Sequence, residues 1–248
     1  MTRPLSNRRA LVTGGSRGIG AAIVRRLARD GAHVALTYLS SPDLAQATAA
    51  AASASGVQAL AIQADSADAD AVAGAVEQTC AAFGGIDILI NNAGVGLMAP
   101  LDDFTLADFD RTMAVNLRAA FVASQAAARR MAAGGRIVMI GSCNAERMPF
   151  LGGAVYAMSK AGLVGLTKGL ARDLGRRGIT VNNVQPGPID TDMNPGDSDF
   201  ADQIREQVLA LPRYGSGDEV AAMVAYLCGS EAGFVTGASL TIDGGFTA

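Results

Sequence analysis

Tyr156 and Lys160 stand four residues apart in "VYAMSKAG" (155–162), in a chain with four tyrosines and two lysines whose other eighteen basic residues are arginine. A spacing of four puts both side chains on one face of a helix. A cation beside a phenol, whose ordinary pKa is about 10, would make that phenol a usable acid or base near neutral pH. The same two residues also fit a tyrosine packed at a helix end and a lysine in solvent, so the rest of the chain has to decide.

Other chemistries are thinly provided for. His33 is the single histidine and lies in the apolar run "AHVALTY", which predicts a structural role and argues against Ser-His-Asp or His-metal chemistry. Cys80, Cys143 and Cys228 are odd in number and lack CxxC spacing, so neither a disulfide framework nor a metal site is expected, and a reducing cytoplasm is the expected home. A formal charge of −3, a pI near 5.2 and scattered arginines argue against nucleic acid as a partner. No apolar run has signal-peptide length or reaches the ~20 residues that span a bilayer, so the chain reads as soluble, with no membrane partner.

The elements that must position Tyr156 and Lys160 alternate regularly. Short apolar runs ("ALVTGG", "HVALTY", "QALAIQAD", "IDILINNAG", "GRIVMIGS", "ITVNNVQPG", "ASLTIDGG") alternate with helical stretches at 18–30, 43–54, 68–82, 105–130, 155–175 and 200–228. Continuously apolar strands such as "IDILI" and "RIVMI" require burial on both faces. The reading is a Rossmann-type, doubly wound sheet of about seven parallel strands with helices on both faces. With 248 residues, 50% of them hydrophobic and 17% charged, and no linker or repeat, one domain spanning 1–248 is expected. "AQATAAAASASG" reads as an Ala-rich surface helix.

"ALVTGGSRGIGAAIVRRLARDGAHVAL" places Gly14, Gly18 and Gly20 between an apolar strand and a helix whose wetter side carries Arg25, Arg26 and Arg29. Glycines allow a tight turn and a close approach to a pyrophosphate, whose charge then sits on the free N–H groups of the helix start. An ordinary Gly-rich turn is the alternative, but the flanking strand, the helix and a second strand about a dozen residues on favour a nucleotide site.

The Gly-x-x-x-Gly-x-Gly spacing, "NNAG" (91–94), Asn116 in "MAVNL", Ser142 in "MIGS", "YAMSK" (156–160) and "PGPIDT" (186–191) together resemble the short-chain dehydrogenase/reductase family along essentially the whole chain. The resemblance implies that Tyr156 donates the proton to a carbonyl oxygen, Lys160 lowers its pKa and holds the nicotinamide ribose, Ser142 polarises the carbonyl, and Asn116 anchors a water that reloads the proton. It places Gly14, Ser16, Arg17, Gly18, Ile19 and Gly20 at the pyrophosphate. Asn92, Ala93 and Gly94 fall by the adenine ribose, and Asp65 with Ser66 at the adenine edge. Pro186, Gly187, Ile189 and Thr191 fall at the carboxamide. Tyr38 ends the second strand where an NAD enzyme carries a carboxylate, Ser40 and Ser41 follow, and Arg17 lies in the glycine loop, so NADP(H) is the expected cofactor. Asp43, past Pro42, is expected to cap the next helix.

The resemblance further implies a ketone or secondary-alcohol substrate under a lid at 190–213, with Arg205 and Arg213 too far apart for a phosphate clamp. Residues 143–151 give an apolar wall (Met148, Phe150) with polar fixtures (Asn144, Glu146, Arg147). "GSCNAERMP" and "VQPGPIDTDMNP" are also similar to a branch of the family that contains a cyclic di-GMP-binding mediator of biofilm dispersal, so a binding protein is the alternative. The resemblance also implies a homotetramer, which small residues on one helix (Ala157, Ser159, Ala161, Gly162, Gly165, Gly169) and the C-terminal "FVTGASLTIDGGFTA" would serve as contacts.

Overall fold

The structure is a computed structural model that describes residues 3–248. From the N-terminus, β1 (Arg9–Val12) leads to α1 (Gly18–Arg29), β2 (His33–Tyr38) to α2 (Pro42–Ser53), and β3 (Ala59–Gln63) to α3 (Ala69–Phe83). β4 (Ile88–Asn91) is followed by α4 (Leu106–Met113) and α5 (Ala119–Arg130), and β5 (Arg136–Ile140) by α6 (Ala154–Gly175). β6 (Thr180–Pro186), α7 (Asp199–Gln207), α8 (Gly217–Cys228) and β7 (Ser239–Ile242) complete the series.

All seven strands are parallel, in the order β3-β2-β1-β4-β5-β6-β7. The period of two explains why the strands read as unbroken apolar runs. Val12, Ile88, Ile90, Val138 and Val184 face one core with α1 and α8, while Leu11, Leu89, Ile137, Met139 and Val181 face the other with α3, α5 and α6. The chain winds outward from β1 to β3 and then returns to β4, which pairs with β1 through Val12 and Ile90. A crevice opens outside the carboxyl ends of the strands at such a reversal.

Two long helical stretches of the sequence are divided. Residues 105–130 form α4, a π-helical turn over Ala114–Arg118, and α5. The turn carries Asn116, whose side chain bonds outside the helix. Residues 200–228 form α7 and α8, separated by a segment with Pro212, after which Ser216 and Glu219 make a reciprocal cap on α8. Asp43 lies inside the first turn of α2, whose cap position is Ser41, so it complements the helix dipole without capping. His33 has the structural role expected of it: its Nδ1 accepts the Gln58 N–H at 3.0 Å.

Candidate active site

The glycine turn is held by threonines at the strand ends. The Gly14 N–H donates to Thr37 Oγ1 and the Gly15 N–H to the Thr37 carbonyl, each at 2.9 Å. Thr13 Oγ1 accepts the N–H groups of Asn92 and Ala93, each at 3.0 Å, and Asn92 Nδ2 donates to the carbonyls of Thr13 and Gly14, each at 2.9 Å. The amide of Asn92 is thereby committed to shaping the turn. Thr13 and Thr37 went unnoticed in the sequence, although a threonine closing an apolar strand just before a turn is a readable signal. Gly20 has the tightest surroundings: a Cβ there would lie 2.3 Å from the Gly14 carbonyl oxygen. The helix start is also open, because Arg17 takes the cap position of α1 without any side-chain cap, leaving the first-turn N–H groups facing the cleft.

That turn is one end of an open cleft of about 900 Å³ along the carboxyl ends of the strands. Every residue expected at the cofactor lines it, as do Ser142, Tyr156 and Lys160. Tyr38, Ser40, Ser41, Asp65 and Ser66 form the wall nearest the ends of β2 and β3. Asp65 Oδ1 also accepts the Ala67 N–H at 2.8 Å, which fixes its loop. Arg17 is exposed, and its Nη1 stands 4.0 Å from Asp192 Oδ2 across the mouth of the cleft. Thr191 packs against Gly18 beside it.

At the centre, Ser142 follows β5 and its Oγ accepts the Asn144 N–H at 3.1 Å, so its own proton remains available to donate. Lys160 is buried, and its Nζ donates to the Ile140 carbonyl at 3.0 Å. Burial pushes its pKa down to about 8. The same ammonium lies 5.7 Å from the centroid of the Tyr156 ring. Burial pushes the Tyr156 phenol up, and hydrogen bonding with Ser142 pulls the other way. Ser142 is thus the neighbour that opposes burial at the phenol, with the Lys160 ammonium on the same helix face.

Asn116 lies behind the cleft, buried. Its Oδ1 accepts the Val95 N–H at 2.8 Å, and its Nδ2 donates to the Val95 carbonyl and to Ser159 Oγ, each at 3.0 Å. Ser159 Oγ in turn donates to the Tyr156 carbonyl at 2.7 Å. The network joins the loop after β4 to the first turn of α6, with Gly94 at the crossing, where a Cβ would lie 3.4 Å from Lys160 Nζ and 3.5 Å from Asn116 Oδ1. Ser159, read in the sequence as a small contact residue, is a positioning residue for Tyr156.

The wall beyond Ser142 differs from the sequence expectation. Asn144 and Phe150 line the cleft, but Met148 packs beneath Gly153, Glu146 is exposed, and Arg147 donates to the Phe246 carbonyl. Met193, Phe200, Tyr214 and Phe246 are further lining residues. The segment after β6 is a short ordered turn: Asp190 Oδ1 accepts the Gly196 N–H at 2.8 Å, and Asn194 and Thr191 pair through their backbones. Among the described residues no group of His, Cys, Asp and Glu side chains could hold a metal ion, and no helix is long and apolar enough to cross a membrane.

With this geometry in view, the chain belongs to the short-chain dehydrogenase/reductase family. A family model described as enoyl-(acyl carrier protein) reductase matches residues 14–247. The cyclic-di-GMP-binding biofilm dispersal mediator protein of Escherichia coli K12 is 49% identical over 242 residues, covering 96% of each chain. A short-chain dehydrogenase of Burkholderia cenocepacia J2315, solved in complex with NADP, superposes with a TM-score of 0.97 at 58% identity, over 99% of this chain and 100% of that one. A short-chain dehydrogenase/reductase of Serratia marcescens BCRC 10948 gives 0.97 at 61% identity, with the same coverage.

Proposed function

We propose that the chain is an NADP(H)-dependent oxidoreductase that interconverts a ketone and a secondary alcohol, with Tyr156 as the general acid and base. The observation that carries this reading is the convergence of Ser142, Tyr156 and Lys160 on the cleft that begins at the uncapped glycine turn. The turn fits a pyrophosphate, because a Cβ at Gly20 would fill it and the first-turn N–H groups have no side-chain partner. When bound, the nicotinamide supplies or takes the hydride. Ser142 orients the carbonyl oxygen through its hydroxyl proton, and Tyr156 Oη delivers the proton to it. Lys160 holds positive charge below the phenol, and Asn116 and Ser159 fix the helix turn that carries Tyr156. Both N–H donors of the Asn116 amide are spent on Val95 and Ser159, so the water proposed for Asn116 would donate to one of its carbonyl oxygens.

NADP(H) is favoured over NAD(H) by Tyr38 at the end of β2, where a carboxylate would repel a 2′-phosphate, and by the exposed Arg17 on the same cleft. The NADP bound to the Burkholderia relative supports this choice. Three free cysteines fit a cytoplasmic enzyme. The outer face of α6 fits a homotetramer: Ala161, Gly165 and Gly169 are exposed, with open space above the two glycines. Ser159 and Gly162 instead serve the subunit's own packing, Gly162 against Leu117.

The test is NADPH-dependent reduction across a panel of ketones and 3-oxoacyl thioesters. A second reading, cyclic di-GMP binding, has its support in the Escherichia coli relative. Titration with that dinucleotide, with and without NADPH, separates the two, since competition for one cleft would make the ligands exclude each other.

A further inference from the structure

Six of the chain's twelve aromatic residues line the one cleft. Tyr38 stands at the end of β2 and Tyr156 at the centre. The other four, Phe150, Phe200, Tyr214 and Phe246, form a separate group. The rings of Phe150 and Phe200 meet edge to face at 5.3 Å between centroids, and Phe150 and Phe246 are tilted at 6.2 Å. Phe246, Tyr214 and Phe150 pack with Cys143, which places this group next to Ser142.

Part of this apolar wall is open to solvent. Phe200 is 49% exposed, Met98 46% and Met193 64%, all on the cleft. Large apolar side chains exposed in a concave site are the surface a ligand covers. Cations are not offered there. Arg147 is tied to the Phe246 carbonyl and lies over that ring, and Arg205 pairs with Asp202, donates to the Gly196 carbonyl and lies over Tyr214. The charged side chains that line the cleft are Arg17 and Asp65 toward the glycine turn, Arg111 exposed on α4, Lys160 buried at the centre, and Asp192, whose carboxylate disfavours an anion. The polar partners near the aromatic group are the neutral Asn144 and Asn194. Such a wall leaves a polyhydroxylated ketone short of hydrogen-bond partners, and the phosphate of a carrier-bound thioester would find a counter-charge only outside the wall, at Arg17 or Arg111.

Building on the reductase reading above, we infer that the substrate is an uncharged ketone bearing a flat, aryl-sized apolar group, and that Phe150 and Phe200 set this preference by ring contact. Aromatic rings prefer edge-to-face and offset contacts with one another, beyond the area they bury. A saturated group of the same size gains the burial and loses that increment.

The test compares kcat/KM, with NADPH, for acetophenone, cyclohexyl methyl ketone, dihydroxyacetone and acetoacetyl-coenzyme A, a thioester that carries the phosphate charge. Acetophenone should exceed its cyclohexyl counterpart by about three- to tenfold and the other two by about a hundredfold or more. Phe150→Leu and Phe200→Leu keep apolar bulk but remove a ring, so each should bring the aryl-to-cyclohexyl ratio toward one. Reduction of dihydroxyacetone or the thioester in preference to acetophenone, or a ratio unmoved by both substitutions, would overturn the inference and leave the reductase reading intact. NADPH binding without reduction of any of the four, or no NADPH binding at all by fluorescence titration, would overturn the reductase reading and the inference with it.

Discussion

Lys160 and Tyr156 share a helix face but not a hydrogen bond: the ammonium donates to the Ile140 carbonyl at 3.0 Å and lies 5.7 Å from the centroid of the phenol ring. The helix supplies proximity, and the end of β5 decides where the proton-bearing group points. An amine held this way is buried with a carbonyl for company and no carboxylate among the causes of its shift, which is why its pKa falls to about 8.

That depression has a stability consequence. Folding disfavours the charged form of Lys160, so the penalty is fully present below pH 8, shrinks as pH rises from about 8, and vanishes above the unfolded value near 10.4. In this window the unfolded chain binds more protons, and stability rises with pH. Lys160→Met should therefore stabilise the protein at pH 7, by an amount on the order of 3 kcal/mol before the lost hydrogen bond is subtracted. The gain should fade by pH 10. Denaturant melts at pH 7 and pH 10 check this; an equal or larger gain at pH 10 contradicts it.

For Tyr156, burial raises the phenol and Ser142 opposes it. Alcohol oxidation needs the phenolate, so its rate should rise with pH. Ser142→Ala should move the apparent midpoint upward as well as lower the plateau. The midpoint belongs to the coupled Tyr156–Lys160 pair and is read as such. A pH–rate profile of the variant that keeps the wild-type midpoint would remove Ser142 from this role.

Cofactor choice is assigned to Arg17 and to the neutral wall at Tyr38, Ser40 and Ser41. Arg17→Ala should lower the preference for NADPH over NADH by about one to two decades, the worth of a charge-assisted contact of roughly 1.5–3 kcal/mol. Asp192→Asn, which removes the carboxylate 4.0 Å from Arg17, should leave or strengthen that preference. Steady-state kinetics with both cofactors measure it, and a wild type that uses NADH equally well contradicts the assignment.

Association through the outer face of α6 predicts a species of four chains by light scattering, against 25.2 kDa for one. Gly165→Glu places a charge where a Cβ meets nothing within 4 Å of the subunit itself. The variant should keep its fold by circular dichroism and lose mass. An unchanged mass would move the contact elsewhere.

The sequence carried the sheet because burial on both faces forces unbroken apolar runs, and "RIVMI" can satisfy little else. It carried the glycine turn and Tyr156, Lys160, Ser142 and Asn116 as a set, because their types and order are unusual together. What it did not carry depends on contacts between distant segments. Thr13 and Thr37 look like ordinary strand ends until Asn92 and Gly14 arrive beside them. Ser159 reads as a small helix residue until Asn116 comes through the π-helical turn to meet it. The aromatic wall draws Phe150, Phe200, Tyr214 and Phe246 from nearly a hundred residues of chain with no periodicity to announce them. Met148 and Arg147, close to the site in sequence, turn away because Gly153 and the Phe246 carbonyl receive them.

The central claim is that Tyr156 transfers the proton while the glycine turn independently holds the cofactor. Its most direct test is Tyr156→Phe, with ketone reduction and NADPH binding by fluorescence measured on the same preparation. Turnover should fall by about two to four decades, the usual worth of a general acid, with NADPH affinity nearly unchanged. A Tyr156→Phe enzyme that retains more than about a tenth of wild-type turnover, well outside that range, would contradict the account.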